Sequence, residues 1–480
     1  MLENIEPKRV FYYFEEISKI PRPSYHEKAV SDYLVGFAVE HGLTYIQDEL
    51  YNVIMISPAT PGYEDKPAIV IQGHMDMVCE KTSDCSKDME TEGLDLILDG
   101  DILSACGTTL GGDDGIAVAY ALALLEDESL KHPRLEVVIT VSEEVGMDGA
   151  RGIDVLPLQG RIFLNIDSEM EGQCLASCAG GGTLHAGLPV TREDFDKPHD
   201  IFKVTLGGGK GGHSGDEIDK GRVNTTVMLG RVLREINKRY GAGWRLISLI
   251  GGSKDNAIPR ESSAIIAVEE VEQLKKLIEK TGSDISMEYK ATDGELYLFA
   301  EETKTDLLPM DPVSTGKVLM MLSVMPNGIR KMSSEIEGLV ETSLNLGITK
   351  TDEYRVEFGY SLRSSVASAY DALKEKLIYI ANELGAQTEV NGEYPAWEYV
   401  SDSPLREKMK GIYYEMTGKE LKVKAIHAGL ECGLFAGKMP GLDAVSFGPD
   451  IWDIHTPDEH LSVSSVARVY DFIRKIIEEL

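Results

Sequence analysis

Long apolar segments are missing from this chain of 480 residues, and their absence excludes two classes of protein. The continuous apolar runs have the length of a strand, whereas a membrane-spanning helix needs about 20 apolar residues. The amino-terminal segment MLENIEPKRVFYYFEEI is charged and amphipathic, whereas a secretory signal needs an uninterrupted apolar stretch. We therefore expect a cytoplasmic protein that has no membrane partner.

Positive charge is also scarce, because 48 lysines and arginines stand against 80 aspartates and glutamates, a formal net charge of -32. Nucleic-acid binding needs clustered basic residues, so a nucleic-acid partner is not expected. The acidic residues are spread along the chain and indicate solubility more than a cationic substrate. With 42% hydrophobic and 27% charged residues, the composition is typical of a globular enzyme.

Cysteine is rare, with six residues and no zinc-ribbon spacing among them. Cys174 and Cys178 are close enough in sequence for a disulfide to be considered. In a large chain without a secretory signal, reduced thiols are the favoured interpretation.

The apolar runs predict an α/β fold. AIVIQGHMD, LEVVITVSEE and RIFLNID are continuous apolar runs, which is typical of strands covered on both faces by helices. GIAVAYALALLEDESL predicts a helix between the first and second of these strands. This order indicates a three-layer domain with a mixed, mostly parallel sheet.

A chain of this length predicts two domains, and its pattern changes near residue 186. From there the strands alternate apolar and polar residues in the order β-α-β-β-α-β, the ferredoxin-like pattern, with SDISMEY as the fourth strand. A weaker second round starts at ELYLFAEE. We therefore predict a discontinuous catalytic domain, residues 1–185 and 399–480, and an inserted α+β lid domain, residues 186–398, of duplicated ferredoxin-like topology.

Acidic and histidine side chains follow the predicted strands of the first domain where each strand ends. In an open α/β sheet, ligands bind outside the carboxyl ends of the strands. A glycine-rich approach to the predicted helix adds two further acids. In chain order these candidates are His74 and Asp76, Asp113 and Asp114, Glu143 and Glu144, Asp167, and His455.

Each of these signals has a simpler explanation when it is taken alone: a polar strand end, a helix N-cap, a solvated turn or a surface histidine. Together they offer two imidazoles and three carboxylates to two metal ions, with one carboxylate shared and a position left for water. Asp113 is the better candidate for the shared carboxylate, and Asp114 lies nearer the helix cap. Zinc suits these ligands, and manganese or cobalt would also fit. We therefore predict a two-metal hydrolytic site.

The order of these motifs resembles a known family, the co-catalytic zinc peptidases that include aminoacylase and carboxypeptidase G. Within that family the chain is most similar to the aminoacyl-histidine dipeptidases (Xaa-His dipeptidases). Eight ordered motifs are far more specific than any one of them, and they cover almost the whole chain. They are QGHMDMV, GTTLGGDDGIA, TVSEEVGMDGA, LNIDSEMEG, GGKGGHSGDEI, DNAIPRE, AIHAGLECGLFAGKMPGLDAVSFGP and IHTPDE.

The resemblance implies a role for each candidate in the first domain. The implied metal ligands are His74, Asp113 as the bridge, Glu144 or Asp167, and His455. Glu143 would be the general base, and Asp76 would orient the imidazole of His74. Close relatives often have Asn after the bridging aspartate, whereas this chain has Asp114, which adds a charge to the pocket.

The inserted domain carries three further candidates. The loop GGGKGGHSGDEI lacks the GK[ST] ending of a P-loop, and without the family His213 would be an ordinary loop histidine. The resemblance implies that His213 stabilises the oxyanion, and that Asn256 and Arg363 hold the substrate carboxylate. In simpler relatives such a histidine comes from a partner subunit; a duplicated insert would supply it in the same chain, and a homodimer is the alternative.

Glu431 lies in the motif AIHAGLECGLFAGKMPGLDAVSFGP. It would bind the free amine of the substrate or serve as a structural carboxylate. We predict a metal-dependent dipeptidase (a peptide hydrolase) acting on small peptides with a free amino terminus, Xaa-His dipeptides included. Glu143 would deprotonate a water that bridges the two ions and then return the proton to the leaving amine.

Three alternatives remain open at this point. An N-acyl amino-acid deacylase or a carboxypeptidase of the same family would use the same metal site. A two-metal phosphoesterase would need more cationic contacts for phosphate. A non-enzymatic binding protein is disfavoured because the expected ligands and Glu143 are all present.

Overall fold

The computed structural model describes residues 2–480, in which the chain forms eleven α-helices, one short 3-10 helix and 21 strands. The helices are α1 (Lys8–Ser18), α2 (Lys28–Glu40), α3 (Gly112–Glu126), α4 (Asp148–Gly152), α5 (Thr225–Tyr240), α6 (Val271–Glu288), α7 (Pro312–Val324), α8 (Ala367–Glu383), α9 (Pro404–Thr417), α10 (Glu431–Lys438) and α11 (Val463–Glu479). The strands are β1 (Thr44–Gln47), β2 (Val53–Ser57), β3 (Ile69–His74), β4 (Leu96–Asp99), β5 (Ile102–Ala105), β6 (Leu135–Thr140), β7 (Ile162–Asn165), β8 (Gln173–Cys178), β9 (Gly180–Pro189), β10 (Asp200–Gly207), β11 (Trp244–Gly251), β12 (Ser262–Val268), β13 (Tyr297–Glu302), β14 (Gly328–Met332), β15 (Val340–Thr351), β16 (Arg355–Ser364), β17 (Gln387–Tyr394), β18 (Lys422–Ile426), β19 (Asp443–Ser446), β20 (Ile451–Trp452) and β21 (His460–Ser462).

The chain divides into two compact units. The first unit comprises the chain up to Cys178 together with Tyr399–Ala425 and Leu430–Leu480. The second unit comprises Ala179–Glu398 and Ile426–Gly429.

The first unit is built around a mixed eight-stranded sheet in the order β1-β2-β6-β3-β7-β19-β8-β18. The neighbours β6, β3, β7 and β19 run parallel, and their residues are almost all buried. The pairs at β1-β2, β2-β6 and β19-β8 are antiparallel. The predicted mixed α/β fold is thus confirmed. A small antiparallel sheet, β20-β21-β5-β4, completes the unit and was not predicted.

Helix α3 is apolar on every side, and this determines where it lies. A helix without a polar face must be covered all round. It packs between strand β3 on one side and helices α1 and α11 on the other. Its amino-terminal end, which carries Asp113 and Asp114, therefore lies beside the end of the central strand of the sheet.

The second unit contains one antiparallel sheet in the order β13-β10-β12-β11-β15-β16-β9-β17, to which β14 adds at β15. The elements β10-α5-β11-β12-α6-β13 form one ferredoxin-like motif, with the characteristic order of fourth, first, third and second strand. The elements β9-α7-β15-β16-α8-β17 repeat that order. The first motif is therefore nested in the second, after strand β9, and the two meet where β11 pairs with β15.

Two predicted details of the insert are wrong. The segment SDISMEY is the end of α6, because Leu274, Ile278 and Ile285 are buried at helical spacing, and the fourth strand of the first motif is β13 instead. The second motif takes its first strand from β9, which runs across the predicted boundary between residues 185 and 186. For that reason the second unit begins at Ala179.

Within residues 2–480, no helix combines the length and the apolar character that crossing a membrane requires. None of the six cysteines forms a disulfide in the described part of the chain. Cys174 and Cys178 lie on the same extended strand, β8, so their Cα atoms are about 13 Å apart. A disulfide spans at most about 7 Å between Cα atoms, which agrees with the expectation of reduced thiols.

Candidate metal centre

Three parallel strands of the first unit end at the same edge of the sheet. His74 at the end of β3 is in register with Thr140 at the end of β6, and Gln72 is in register with Asn165 at the end of β7. The side chains that follow these strand ends are therefore brought together, although they are far apart in the sequence. This edge holds the predicted site.

The five predicted metal ligands form one cluster. The Nε2 atom of His74 lies 3.2 Å from Oδ1 of Asp113 and 3.7 Å from Oδ1 of Asp167. The Nε2 atom of His455 lies 3.1 Å from Oδ2 of Asp113 and 3.0 Å from Oε2 of Glu144. Asp113 thus lies between the two histidines, with one carboxylate oxygen directed at each.

This donor set fits two divalent cations. Each histidine has its own second carboxylate, Asp167 beside His74 and Glu144 beside His455, and both share Asp113. Ligand atoms of His74, Asp113 and Glu144 lie within 4.8 Å of one another. The Oε1 atom of Glu144 is buried without a hydrogen-bond partner, as expected of an oxygen that a metal ion would bind. One histidine and two carboxylates per ion leave room for water.

Several ionisable groups of the cluster have shifted pKa values. Burial raises the pKa of Glu143 to about 8, and it raises the pKa of Asp167 well above its ordinary value. Hydrogen bonds to Asp113 and Glu144 raise the pKa of His455 to about 10. Buried carboxylates need protons or cations as partners, and bound metal ions would displace such protons.

Asp76 contacts both ligand-bearing segments. Its Oδ1 atom lies 3.4 Å from Nδ1 of His74 and accepts a hydrogen bond from the main-chain amide of Glu143 at 3.1 Å. Its Oδ2 atom accepts from the amide of Glu144 at 3.3 Å and from the hydroxyl of Ser24 at 2.8 Å. One fully buried carboxylate therefore ties the imidazole of His74 to the turn that carries the two glutamates.

Asp114 is buried beside the cluster, where its Oδ2 atom accepts a hydrogen bond from the main-chain amide of His74 at 3.1 Å. Burial raises the pKa of Asp114 well above its ordinary value. The close packing here requires Gly73, since a Cβ atom at that position would overlap the carboxylate of Asp114 and lie 2.6 Å from the Cβ atom of Ala117. The extra acidic side chain noted in the sequence thus lies at the junction of α3 and β3, where burial favours its neutral form.

The sequence analysis missed the segment RPSYHE, residues 22–27, which joins α1 to α2. The buried Arg22 donates hydrogen bonds to main-chain carbonyl oxygens of residues 75–76 at 2.9 and 3.2 Å and of residue 111 at 2.6 Å. Glu27 accepts from the amide and the hydroxyl of Ser142 at 2.9 and 2.7 Å. This segment therefore contacts three of the ligand-bearing segments, those of His74, Asp113 and Glu144. The only local signal for this role was a short polar stretch, with prolines at positions 21 and 23, before the start of α2.

Glu431 at the start of α10 is fully buried in the first unit. Its Oε2 atom accepts hydrogen bonds from the hydroxyl of Thr140, at 2.7 Å, and from the side-chain amide of Gln72. Burial raises the pKa of Glu431 to about 7, and its Oε1 atom has no hydrogen-bond partner. These contacts support the structural alternative more than a contact with the amine of the substrate.

The second unit brings its three predicted substrate-binding residues together. The Nη2 atom of Arg363 lies 3.4 Å from Nε2 of His213, and its Nη1 atom donates to the hydroxyl of Tyr394 at 2.8 Å. The main-chain carbonyl of Asn256 accepts from the amide of Ser214 at 2.8 Å. His213 and Asn256 also line an open cavity of about 510 Å³.

Comparison with known proteins identifies the family. The model of peptidase family M20/M25/M40 matches residues 70–479. The chain belongs to this family. It is also 37% identical to the cytosol non-specific dipeptidase of Escherichia coli (strain K12), over 100% of this chain and 99% of that protein.

Solved structures of this M20 peptidase's relatives agree with the fold. The crystal structure of the aminoacylhistidine dipeptidase from Vibrio alginolyticus is 36% identical, with a TM-score of 0.92 over 100% of this chain and 98% of that chain. Aminopeptidase PepT from Bacillus cereus shares the fold, with a TM-score of 0.57 at 17% identity and 99% coverage of both chains. The predicted family, fold class and class of enzyme, a metallopeptidase, are thus confirmed.

Proposed function

We propose that this M20 peptidase hydrolyses dipeptides that have a free amino terminus, Xaa-His dipeptides among them. The observation that carries the proposal is the position of Asp113, whose two carboxylate oxygens face one histidine each. Similarity over the full length to a non-specific dipeptidase and to an aminoacylhistidine dipeptidase supports the substrate class. A cytoplasmic location is part of the proposal.

The contacts support two sets of ligands. His74, Asp113 and Asp167 would hold one ion, and His455, Asp113 and Glu144 would hold the other. When bound, the ions supply Lewis acidity to the scissile carbonyl and to a water molecule. We infer zinc as the metal. Imidazole and carboxylate ligands also suit manganese and cobalt, which are therefore the alternatives.

Glu143 is the general base of this proposal. Glu144 contacts His455 through its carboxylate, so Glu144 would bind metal while Glu143, the residue before it, would face the substrate. The carboxylate of Glu143 would take a proton from the attacking water and deliver that proton to the leaving amine. Asp76 would keep the ring of His74 and the turn of Glu143 in a fixed relation. Nδ1 of His74 lies 3.1 Å from the main-chain carbonyl of Asp76 and 3.4 Å from its carboxylate, which also accepts from the amide of Glu143.

The second unit would bind the carboxylate end of the dipeptide and the oxyanion. Arg363 offers a planar guanidinium, which suits a carboxylate, and Asn256 adds an amide. His213 beside Arg363 would donate a hydrogen bond to the oxygen of the scissile carbonyl as negative charge develops on it. Glu431 would act from within the first unit as a structural carboxylate.

A substrate panel tests the proposal. The purified chain is assayed on Xaa-His dipeptides, other dipeptides, tripeptides and N-acetyl amino acids. We expect turnover of the dipeptides, and little turnover when the amino terminus is acetylated. Faster hydrolysis of N-acetyl amino acids would instead support the deacylase alternative.

Metal removal provides the second test. Dialysis against a chelator is expected to abolish turnover, and zinc, manganese or cobalt should restore it. Two ions per chain are expected by elemental analysis of the active protein. Turnover that survives complete removal of metal would contradict the proposal.

A further inference from the structure

The loop that carries His455 also carries a buried acid, Glu459, to which the proposed mechanism gives no role. Glu459 is 2% exposed. Its Oε2 atom accepts hydrogen bonds from the main-chain amides of residues 110 and 111 at 2.8 and 2.9 Å, and its Oε1 atom from those of residues 112 and 113 at 2.8 and 3.3 Å. One carboxylate thus binds every amide of the turn that presents Asp113.

The opposite side of this turn is held as well. Nη2 of Arg22, a side chain that is 1% exposed, donates to the main-chain carbonyl of Gly111 at 2.6 Å. Gly111 has φ 64°, which favours glycine, and a Cβ atom there would lie 2.5 Å from Nη2 of Arg22. The turn is therefore fixed between a buried carboxylate on its amide side and a buried guanidinium on its carbonyl side.

The position of this turn decides where the carboxylate of Asp113 lies. Its two oxygens are 3.2 Å from His74 and 3.1 Å from His455, so a small rotation of the turn would lose one of the two contacts. His455 and Glu459 belong to one short loop, whose fold is closed by the amide of Glu459 donating to the carbonyl of Thr456 at 3.1 Å. That loop therefore places His455 beside the side chain of Asp113 and Glu459 beside its main-chain amide.

We propose that Glu459 is a positioning residue that fixes Asp113 relative to His455, so that one carboxylate can be shared by two metal ions. This inference rests on the proposed function, because sharing requires two ions. Residues that orient a metal ligand without touching the metal change metal affinity by about 10- to 100-fold when they are replaced. The competing explanation is that Glu459 only caps helix α3 and contributes to stability.

The first unit offers a matched control for that explanation, Glu136 on β6. This side chain is also fully buried, and its carboxylate accepts from the amides of residue 159 at 3.0 and 2.9 Å and of residue 160 at 2.9 Å. It lies toward the beginning of β6, whereas the metal cluster lies beyond the end of that strand. Its replacement should cost stability without affecting the turn that carries Asp113.

The experiment compares Glu459→Gln with Glu136→Gln in the full chain. An amide keeps the size of the side chain but replaces one acceptor oxygen by a donor group, so main-chain hydrogen bonds are lost in both variants. Thermal unfolding of the metal-free proteins measures stability. Zinc titration measures the number and affinity of bound ions, and the absorption spectrum of the cobalt-loaded proteins reports ligand geometry.

We expect both variants to unfold at lower temperature than the wild type. Only Glu459→Gln should bind zinc about 10- to 100-fold more weakly and show an altered cobalt spectrum. Glu459→Asp, which keeps the charge, should recover part of the affinity, and it also serves if Glu459→Gln does not fold.

Two results would overturn the inference in different ways. Wild-type zinc affinity and cobalt spectrum in the Glu459 variants, or an equal loss of affinity in Glu136→Gln, would show that Glu459 has only a structural role. Failure of the wild type itself to bind two zinc ions would overturn the proposed function, and the inference with it.

Discussion

The polar clusters of the two units surround their acidic side chains with different charges. In the first unit, burial and then the nearby carboxylates of Glu431 and Glu144 raise the pKa of Glu143 to about 8. In the second unit, a hydrogen bond to His213 lowers the pKa of Asp216 below its ordinary value, and Arg363 adds a favourable charge. In the first cluster the acidic groups outnumber the two histidines, whereas in the second cluster a guanidinium and an imidazole lie near the acid.

This difference indicates which kind of ligand each cluster accepts. A group of carboxylates short of positive charge binds cations, because each bound ion replaces protons and relieves repulsion. A cluster with a guanidinium and an imidazole suits an anion such as the carboxylate of a peptide. The two units therefore have separate tasks in the proposed reaction, and substitutions in each should affect different measurements.

The largest effect is expected in the first unit from Glu143→Ala. Removal of a general base lowers kcat by about 10²- to 10⁴-fold, while the metal ligands remain in place. The matched variant Glu144→Ala, at the adjacent position, should lose affinity for one ion. Steady-state kinetics and elemental analysis of both proteins measure this separation. If Glu143→Ala keeps its turnover, the assignment of the base is wrong.

A smaller effect is expected in the second unit from Arg363→Met. Loss of a charged hydrogen bond to the substrate carboxylate costs about 1.5–3 kcal/mol, so KM for a dipeptide should rise by about 10- to 150-fold. Zinc affinity should stay unchanged, in contrast to the variants of the first unit. The control substrate is a dipeptide amide, which lacks the carboxylate. An equal loss of activity on both substrates would argue against a carboxylate contact.

The smallest effect on catalysis is expected from Glu431→Gln, which tests the buried acid that lacks a charged partner. The pKa of Glu431 in the folded chain, about 7, lies above the ordinary value of 4.5. Between these pH values the folded state holds a proton that the unfolded state releases, so the free energy of unfolding falls as the pH rises from about 4.5 to 7.

Glu431→Gln has no carboxyl group at this position, so its free energy of unfolding does not fall for this reason as the pH rises. The metal-free variant should therefore be more stable than the wild type at pH 8, by at most about 3 kcal/mol, and should show no gain near pH 4. Urea unfolding at both pH values measures the difference. An unchanged KM would agree with a structural role, whereas a large rise in KM would support the contact with the substrate amine.

The sequence predicted the site best where a side chain that can bind metal directly follows a buried strand. His74, the two glutamates and Asp167 follow buried strands, and parallel strands necessarily end at one edge of the sheet. The roles of these residues remain predictions, but their proximity could be expected from the strand pattern. Glu459 and the segment 22–27 were missed because their importance lies in hydrogen bonds to main-chain atoms of distant turns, which residue types do not record.

The second unit shows the same limit for the fold. Alternating strands and amphipathic helices predicted ferredoxin-like topology twice, which the sheet order bears out. The pattern placed the two motifs one after the other, since it records only the order of elements along the chain. Nesting depends on which strand pairs with β16, and that strand, β9, comes before the whole first motif.

By itself the sequence determined the local properties of this protein: which runs are apolar enough to be buried, where strands end, and which acids and histidines follow them. Only the tertiary structure decided that Asp113 faces both histidines, that Asp167 lies beside one and Glu144 beside the other, and that Glu459 holds the turn between them. Local propensity acts over a few neighbouring residues. These contacts instead depend on strand register and on the packing of α3 against β3, and they join residues from 39 to 349 positions apart in the sequence.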